Sequence, residues 1–315
     1  MDKRLFVGVD VGGTKVAAGL VDDRGGISAQ VRRAMVADSG AQQGLESVLS
    51  AIACVLAQAT DHVAGIGICA PGPLDPHTGV ILNPPNVPCW RNFPLADSVR
   101  KLHQVPVMVD NDGNAAALAE ARWGAARGYG NVFYATIGTG IGSGIVFDGK
   151  ISHGRTGAAG EGGHVSIDHR GPICNCGKPG CIEVFASGQA IVKRAQQEVA
   201  RGASSSMLEL ASGDVRAITG VAVAQAAQAG DRLATKILVE ATELVALWLS
   251  NIVDLFDPEV VVIGGGASAL YRPFFDRLRD RMAEFAVNPR ANEVPILAAY
   301  YGADSGIAGG AALCA

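Results

Sequence analysis

The sequence has no uninterrupted apolar run approaching the roughly 20 residues of a membrane span, so no membrane partner is expected. It has no block of lysine and arginine, and with a net charge of −4 it offers no electrostatic footprint for nucleic acid. The apolar stretch after Met1-Asp2-Lys3-Arg4 is broken by Asp10, Gly12 and Gly13, which argues against a signal peptide. Low-complexity and linker-like segments are lacking too, as is the phosphate-binding pattern G-x-x-x-x-G-K-[ST]. The seven cysteines do not make a disulfide framework. Three lie in one cluster, and Cys54, Cys69, Cys89 and Cys314 are scattered in apolar surroundings, where most are expected to be buried small hydrophobes. These features point to a reducing, cytoplasmic setting. The 315 residues, about half of them apolar, suffice for two packed lobes.

The most specific feature is the run Cys174-Asn175-Cys176-Gly177-Lys178-Pro179-Gly180-Cys181-Ile182-Glu183, ten residues beyond His164. One imidazole and three thiols form a standard tetrahedral zinc set, and Gly177 and Gly180 permit the positive φ that a tight ligand loop needs. A closed site of four protein ligands leaves no position for a reacting water. The zinc is therefore expected to be structural, holding Glu161, His164 and Glu183 in place.

Two segments share one plan: Phe6 to Gly25 and Phe133 to Gly149 each read as strand, glycine turn with a threonine, strand and polar tip. Two copies imply two related lobes. Further strands are expected at Gly65–Ile68, Val105–Asp110 and Glu259–Ile263, and helices at Leu45–Gln58, Asn114–Trp123, Ser187–Arg201 and Ala234–Leu255. Strands alternating with helices predict an α/β fold. The glycine-rich stretch 124–130 marks the boundary between a small lobe, residues 1–125 completed by about 304–315, and a larger lobe, residues 126–303, carrying the zinc loop.

In Asp10-Val11-Gly12-Gly13-Thr14-Lys15 a strand ends in a carboxylate that can hold Mg²⁺ or its waters, and the bare glycine backbone can approach phosphate oxygens. The loop 136–144, with Gly138-Thr139-Gly140 at its centre, repeats that logic. It contains a weak likeness to a dinucleotide fingerprint, but a strand follows it where a Rossmann crossover needs a helix. Gly264-Gly265-Gly266 follows an apolar strand and offers backbone against which an adenine or ribose could lie. Asp110-Asn111-Asp112-Gly113-Asn114 stands between a strand and a helix, where Asp112 can take a proton from a hydroxyl, or Asp112 or Asn114 can simply cap the helix. Calcium is not expected, since Ala115 and Ala121 occupy the glycine and glutamate positions of an EF-hand loop. Gly72 lies in one rigid loop, and Asn86 and Trp90 lie in another whose amide and indole groups suit sugar hydroxyls, although Trp90 could equally belong to the core.

The Gly8-to-Lys15 loop, Asn111-Asp112, Glu161-x-x-His164 and the Cys174-to-Glu183 cluster together resemble the ROK family of sugar kinases and sugar-responsive repressors, over almost the whole chain. The resemblance implies an actin/hexokinase-like (ribonuclease H-like) pair of lobes with MgATP in the cleft, and a homodimer. ATP and its Mg²⁺ would be met by Asp10, Gly12, Gly13, Thr14, Lys15, Thr139, Gly140 and the glycines 264–266. A hexose would be held by Asn111, Asp112, Glu161, His164 and Glu183, with further contacts from Gly72 and Asn86. Asp112 would be the base, and His164, Cys174, Cys176 and Cys181 the zinc ligands. The repressors carry a DNA-binding segment ahead of the first glycine loop, which here begins at Gly8, so the enzyme is expected. The zinc-loop context resembles the family's glucokinases, which makes glucose the expected substrate and N-acetylmannosamine or N-acetylglucosamine the alternative. Gly113 and Gly162 stand where alanine and a bulkier residue are usual, and both could enlarge the pocket.

Overall fold

A computed structural model describes residues 4–36 and 40–315. The chain divides into two compact units, residues 1–134 with 144–160 and 299–315, and residues 135–143 with 161–298.

The first unit is built on a five-stranded sheet of order β3-β2-β1-β4-β8. Its strands are β1 (Leu5–Val11), β2 (Lys15–Asp22), β3 (Ile27–Ala34), β4 (Val63–Ala70) and β8 (Val107–Asn111). β1 pairs antiparallel with β2 and parallel with β4, and β4 pairs parallel with β8. A small sheet of β5 (Leu74–Asp75), β6 (Val80–Ile81) and β7 (Phe93–Pro94) adjoins it in sequence. Alternation along β1 decides the layers. Leu5, Val7, Val9 and Val11 share a core with α1 (Ala41–Leu56) and α2 (Leu95–Arg100), whereas Phe6 packs with Ile307 and Ala311 of α10 (Ser305–Ala312). α10 can lie on the sheet because Gly8 and Gly67 carry no side chain: a Cβ at either would fall 1.8 and 1.7 Å from the Ile307 and Gly310 carbonyl oxygens.

α3 (Asp112–Arg122) packs beside α10 and carries the wholly buried Glu120. Its carboxylate accepts from the backbone N–H groups of Ala125, Tyr300 and Tyr301 at 2.8, 2.8 and 3.1 Å. Glu120→Ala would strand three donors, each worth about 1–3 kcal/mol when buried without a partner. A loss of about 3 kcal/mol or more in chemical denaturation is expected, and a change below about 0.5 kcal/mol would contradict this assignment.

The second sheet has the order β11-β10-β9-β12-β13. Its strands are β9 (Val132–Ile137), β10 (Ile141–Phe147), β11 (Lys150–Ile151), β12 (Val260–Gly264) and β13 (Ile296–Ala298). The second unit holds α4 (Glu183–Ala186), α5 (Gly188–Ala200), α6 (Met207–Leu210), α7 (Gly220–Gln228), α8 (Arg232–Phe256) and α9 (Phe275–Phe285). α8 packs against α4, α5, α7 and α9 and buries Trp248 and Leu249. Among the described residues no helix is long and apolar enough to cross a membrane.

Candidate functional site

In the first unit, the residues expected to act in a site collect where β1, β4 and β8 end. The turn after β1 is closed by the Gly12 N–H donating to the Lys15 carbonyl at 2.9 Å, so that donor is used inside the turn. Gly13, Thr14 and Lys15 lie at the tip, with Thr14 and Lys15 exposed. A Cβ on Gly13 would fall 2.5 Å from the Asn86 carbonyl oxygen, so the turn and the Asn86 loop lie together through backbone. Asp10 points toward the start of α10, where a Cβ on Gly306 would come within 2.4 Å of its carboxyl carbon. Burial raises the Asp10 pKa, opposed by Lys15, Cys69 and Arg32.

β8 ends at Asn111, which is the N-cap of α3 and accepts from the Gly113 N–H at 2.9 Å. The alternative that Asp112 or Asn114 caps this helix is thereby replaced by Asn111, because the strand runs one residue further than its apolar part suggests. Asp112 opens the helix with an exposed carboxylate that accepts from the Gly113 N–H at 2.8 Å. Gly72 lies beside this end, at a distance that would put its Cβ 3.5 Å from the Asn111 amide nitrogen. Trp90 does not serve as a hydroxyl donor. It is fully buried, stacked on Phe93 and hydrogen-bonded through Nε1 to the Ala41 carbonyl at 3.1 Å. Of the scattered cysteines only Cys69 is buried; Cys54, Cys89 and Cys314 are half-buried.

In the second unit, the donor atoms of His164, Cys174, Cys176 and Cys181 all lie within 4.8 Å of one another. The Cys176–Cys181 sulfur separation is 3.6 Å and the Cys174 Sγ to His164 Nδ1 distance is 3.6 Å. Tetrahedral zinc with bonds of about 2.3 Å to sulfur and about 2.0 Å to nitrogen sets these spacings at roughly 3.8 and 3.5 Å, so the donor set fits the ion. Gly177 and Gly180 hold φ of 89° and 66°, as the loop reading requires. Without a metal, burial pushes the Cys181 thiol up to about 12 and also raises Cys174, whereas hydrogen bonding to the Lys178 backbone lowers Cys176.

Glu183 ties this loop to the β9–β10 turn: one carboxylate oxygen accepts from the Ile141 N–H at 2.9 Å, and the other lies 3.7 Å from Cys174 Sγ. The turn bearing Glu161 and His164 packs on the same strand. A Cβ on Gly163 would meet the Ile141 carbonyl oxygen at 1.8 Å, which explains glycine at that position of E-x-G-H. Gly162 does not enlarge a pocket. Its N–H donates to Ser143 Oγ at 2.9 Å, and the place of its missing side chain is taken by that hydroxyl and the edge of Trp248.

A pocket of about 640 Å³ lies within the second unit. Its wall includes Gly138 and Thr139 of the glycine turn, the first residues of α5 and α7, and Gly266 after β12. Helices α5 and α7 begin at the N-caps Ser187 and Thr219, so two positive helix ends open on one cavity. Gly140 sits at the tip of the same turn, where a Cβ would meet the Glu183 carboxylate at 2.3 Å. Gly264 is buried within β12, and Gly265, with φ 89°, lies on the Ile137 carbonyl. Sequence reasoning passed over the glutamines 189, 225 and 228 on this wall, although the helix caps at Ser187 and Thr219 were readable signals. It passed over His153 and gave no separate role to Ser143 or Asp110, whose contacts with Gly162 and His153 span long stretches of chain.

The ROK family pattern matches residues 6–315, and the chain belongs to that family. A glucokinase of Thermotoga maritima is 34% identical over 315 residues, covering 99% of this chain and 98% of that protein. An N-acetylmannosamine kinase of Escherichia fergusonii is 31% identical, covering 97% and 96%. The structure of a ROK family glucokinase from Streptomyces griseus in complex with glucose and AMPPNP superposes with a TM-score of 0.83 at 35% identity, covering 98% of this chain and 99% of that one. Other similar members are repressors and transcriptional regulators.

Proposed function

We propose that this protein is an ATP-dependent hexose kinase that phosphorylates the 6-hydroxyl of glucose. The observation that carries the reading is Asp112, an exposed carboxylate at a strand end beside the amide of Asn111, in a chain that also pairs a glycine turn with two helix N-termini on one pocket. Asp112 takes the proton of the 6-hydroxyl as its oxygen attacks the γ-phosphorus in line, and ADP leaves. Asn111, Glu161, His164 and Glu183 fix the remaining hydroxyls, with Gly72 and Asn86 beside them. The turns at Gly12-Gly13-Thr14-Lys15 and Thr139-Gly140 meet the charge on the transferred group, and the nucleotide lies in the second unit's pocket with the glycines 264–266. Asp10 supplies a hard oxygen ligand for the Mg²⁺ that accompanies ATP.

His164, Cys174, Cys176 and Cys181 hold a structural zinc, which supplies no chemistry to the reaction and fixes the chain around Glu183. With Nδ1 turned to the thiols, the His164 ring keeps Nε2 for a sugar hydroxyl. The retained Asp10, Asp112 and both glycine turns support an enzyme over a non-catalytic sugar sensor.

Glucose is favoured over an N-acylhexosamine because Ser143 and Trp248 fill the space beside Gly162, which leaves no added room there for an acetamido group. Similarity to the Thermotoga and Streptomyces glucokinases supports the same choice. A coupled assay over glucose, mannose, N-acetylmannosamine and N-acetylglucosamine should give glucose the highest kcat/KM. The N-acyl sugars should trail by about 10²-fold or more, within the range a site built for hydroxyls can reach. An N-acylhexosamine that outperforms glucose would overturn the sugar assignment and leave the kinase standing.

A further inference from the structure

Asp110 is buried at the end of β8, and both of its carboxylate oxygens have partners. One carboxylate oxygen accepts from the Asn111 backbone N–H at 2.7 Å and from the Asn114 side-chain amide at 3.1 Å. The other lies 2.6 Å from His153 Nε2. The Asn114 side-chain carbonyl oxygen is buried with no hydrogen-bond partner among the described residues, while its amide nitrogen serves Asp110. His153 follows β11, and its carbonyl accepts from the Ala159 N–H at 3.1 Å, which curls the segment that runs directly into Glu161. Asp110 at the end of β8 and His77 in the β5–β6 turn, with ring centroids 5.9 Å apart, face the imidazole.

We propose that His153 is a positioning residue for phosphoryl transfer, acting through Asp110 to hold the strand end that presents Asn111 and Asp112 and to anchor the segment leading to Glu161. This rests on the kinase reading above. A buried carboxylate held by three hydrogen bonds has little freedom to rotate, and the peptide that it grips is the one joining it to Asn111. Removing the imidazole leaves one oxygen of Asp110 unmatched and frees that peptide to turn. The hydrogen bond to Asp110 raises the His153 pKa above its ordinary 6.5, so the charged bond is present at low pH and weakens as pH rises through that raised value.

The test uses the full chain with MgATP and glucose. His153→Ala should lower kcat roughly 10-fold per folded molecule, with KM for ATP within about twofold, because misplacement of the base acts on the chemical step. His153→Gln, whose amide can donate to Asp110 without charge, should recover part of the loss, and it decides the matter if the alanine variant does not fold. The wild-type kcat profile should show a step above pH 6.5 that His77→Gln keeps and His153→Gln loses. In an Asp110→Asn background the His153→Ala change should cost much less, as expected for coupled groups. An active wild type whose His153 variants keep kcat within twofold, or keep the pH step, overturns this inference alone. A wild type that phosphorylates no sugar overturns the kinase reading and this inference with it.

Discussion

Asp112→Asn should reduce kcat by about 10²-fold or more while leaving glucose binding and melting temperature close to wild type. The substitution is nearly isosteric, and the carboxylate is exposed at the first turn of α3, so the fold does not depend on its charge. The helix cap is provided by Asn111, and the Gly113 N–H keeps that acceptor at 2.9 Å when the Asp112 carboxylate is lost. Only proton removal from the attacking hydroxyl is then lost. Binding isotherms for glucose measured beside steady-state rates separate the two effects. Near-wild-type turnover would remove Asp112 from the mechanism.

Loss of one zinc ligand should affect more of the molecule. Cys181→Ser is expected to drop the metal content well below the one ion per chain expected for wild type, lower the melting temperature and raise the glucose KM by about 10-fold or more. The proposed route to the sugar is Glu183: it lies 3.7 Å from Cys174 Sγ and accepts from the Ile141 N–H, so a loosened loop releases this carboxylate and the β9–β10 turn together. Because the ligands bind as thiolates and neutral imidazole, metal retention should weaken as pH falls. Elemental analysis, thermal melts and steady-state glucose kinetics, before and after chelation, read all three. A wild type without zinc whose melting and activity ignore the chelator would contradict the site.

Much of this was legible because the signals are local. The repeated strand–glycine turn–strand plan appears as β1–β2 and β9–β10, and the α/β alternation gives the layers seen here. The Cys174-to-Cys181 spacing and its two positive-φ glycines point directly to the group of donor atoms that could hold a metal ion. What sequence could not supply are pairings between distant residues. Ser143 occupies the space beside Gly162, so a glycine that reads as added room is the counterpart of a hydroxyl nineteen positions away. Trp90 has the donor of a sugar contact and the burial of a core residue, and tertiary packing decided for the core. The roles of the Asp110 and Glu120 carboxylates exist only once β11 and the chain at Tyr300 have been brought to them.

The central claim is phosphoryl transfer from ATP to the 6-hydroxyl of a hexose. Its most direct measurement is product analysis by ³¹P and ¹³C NMR after incubating the purified full chain with MgATP and glucose. Glucose 6-phosphate and ADP should form in equal amounts, with no product from the Asp112→Asn protein on the same timescale. Release of ADP and free phosphate without a sugar phosphate, or no turnover of any hexose offered, would contradict it.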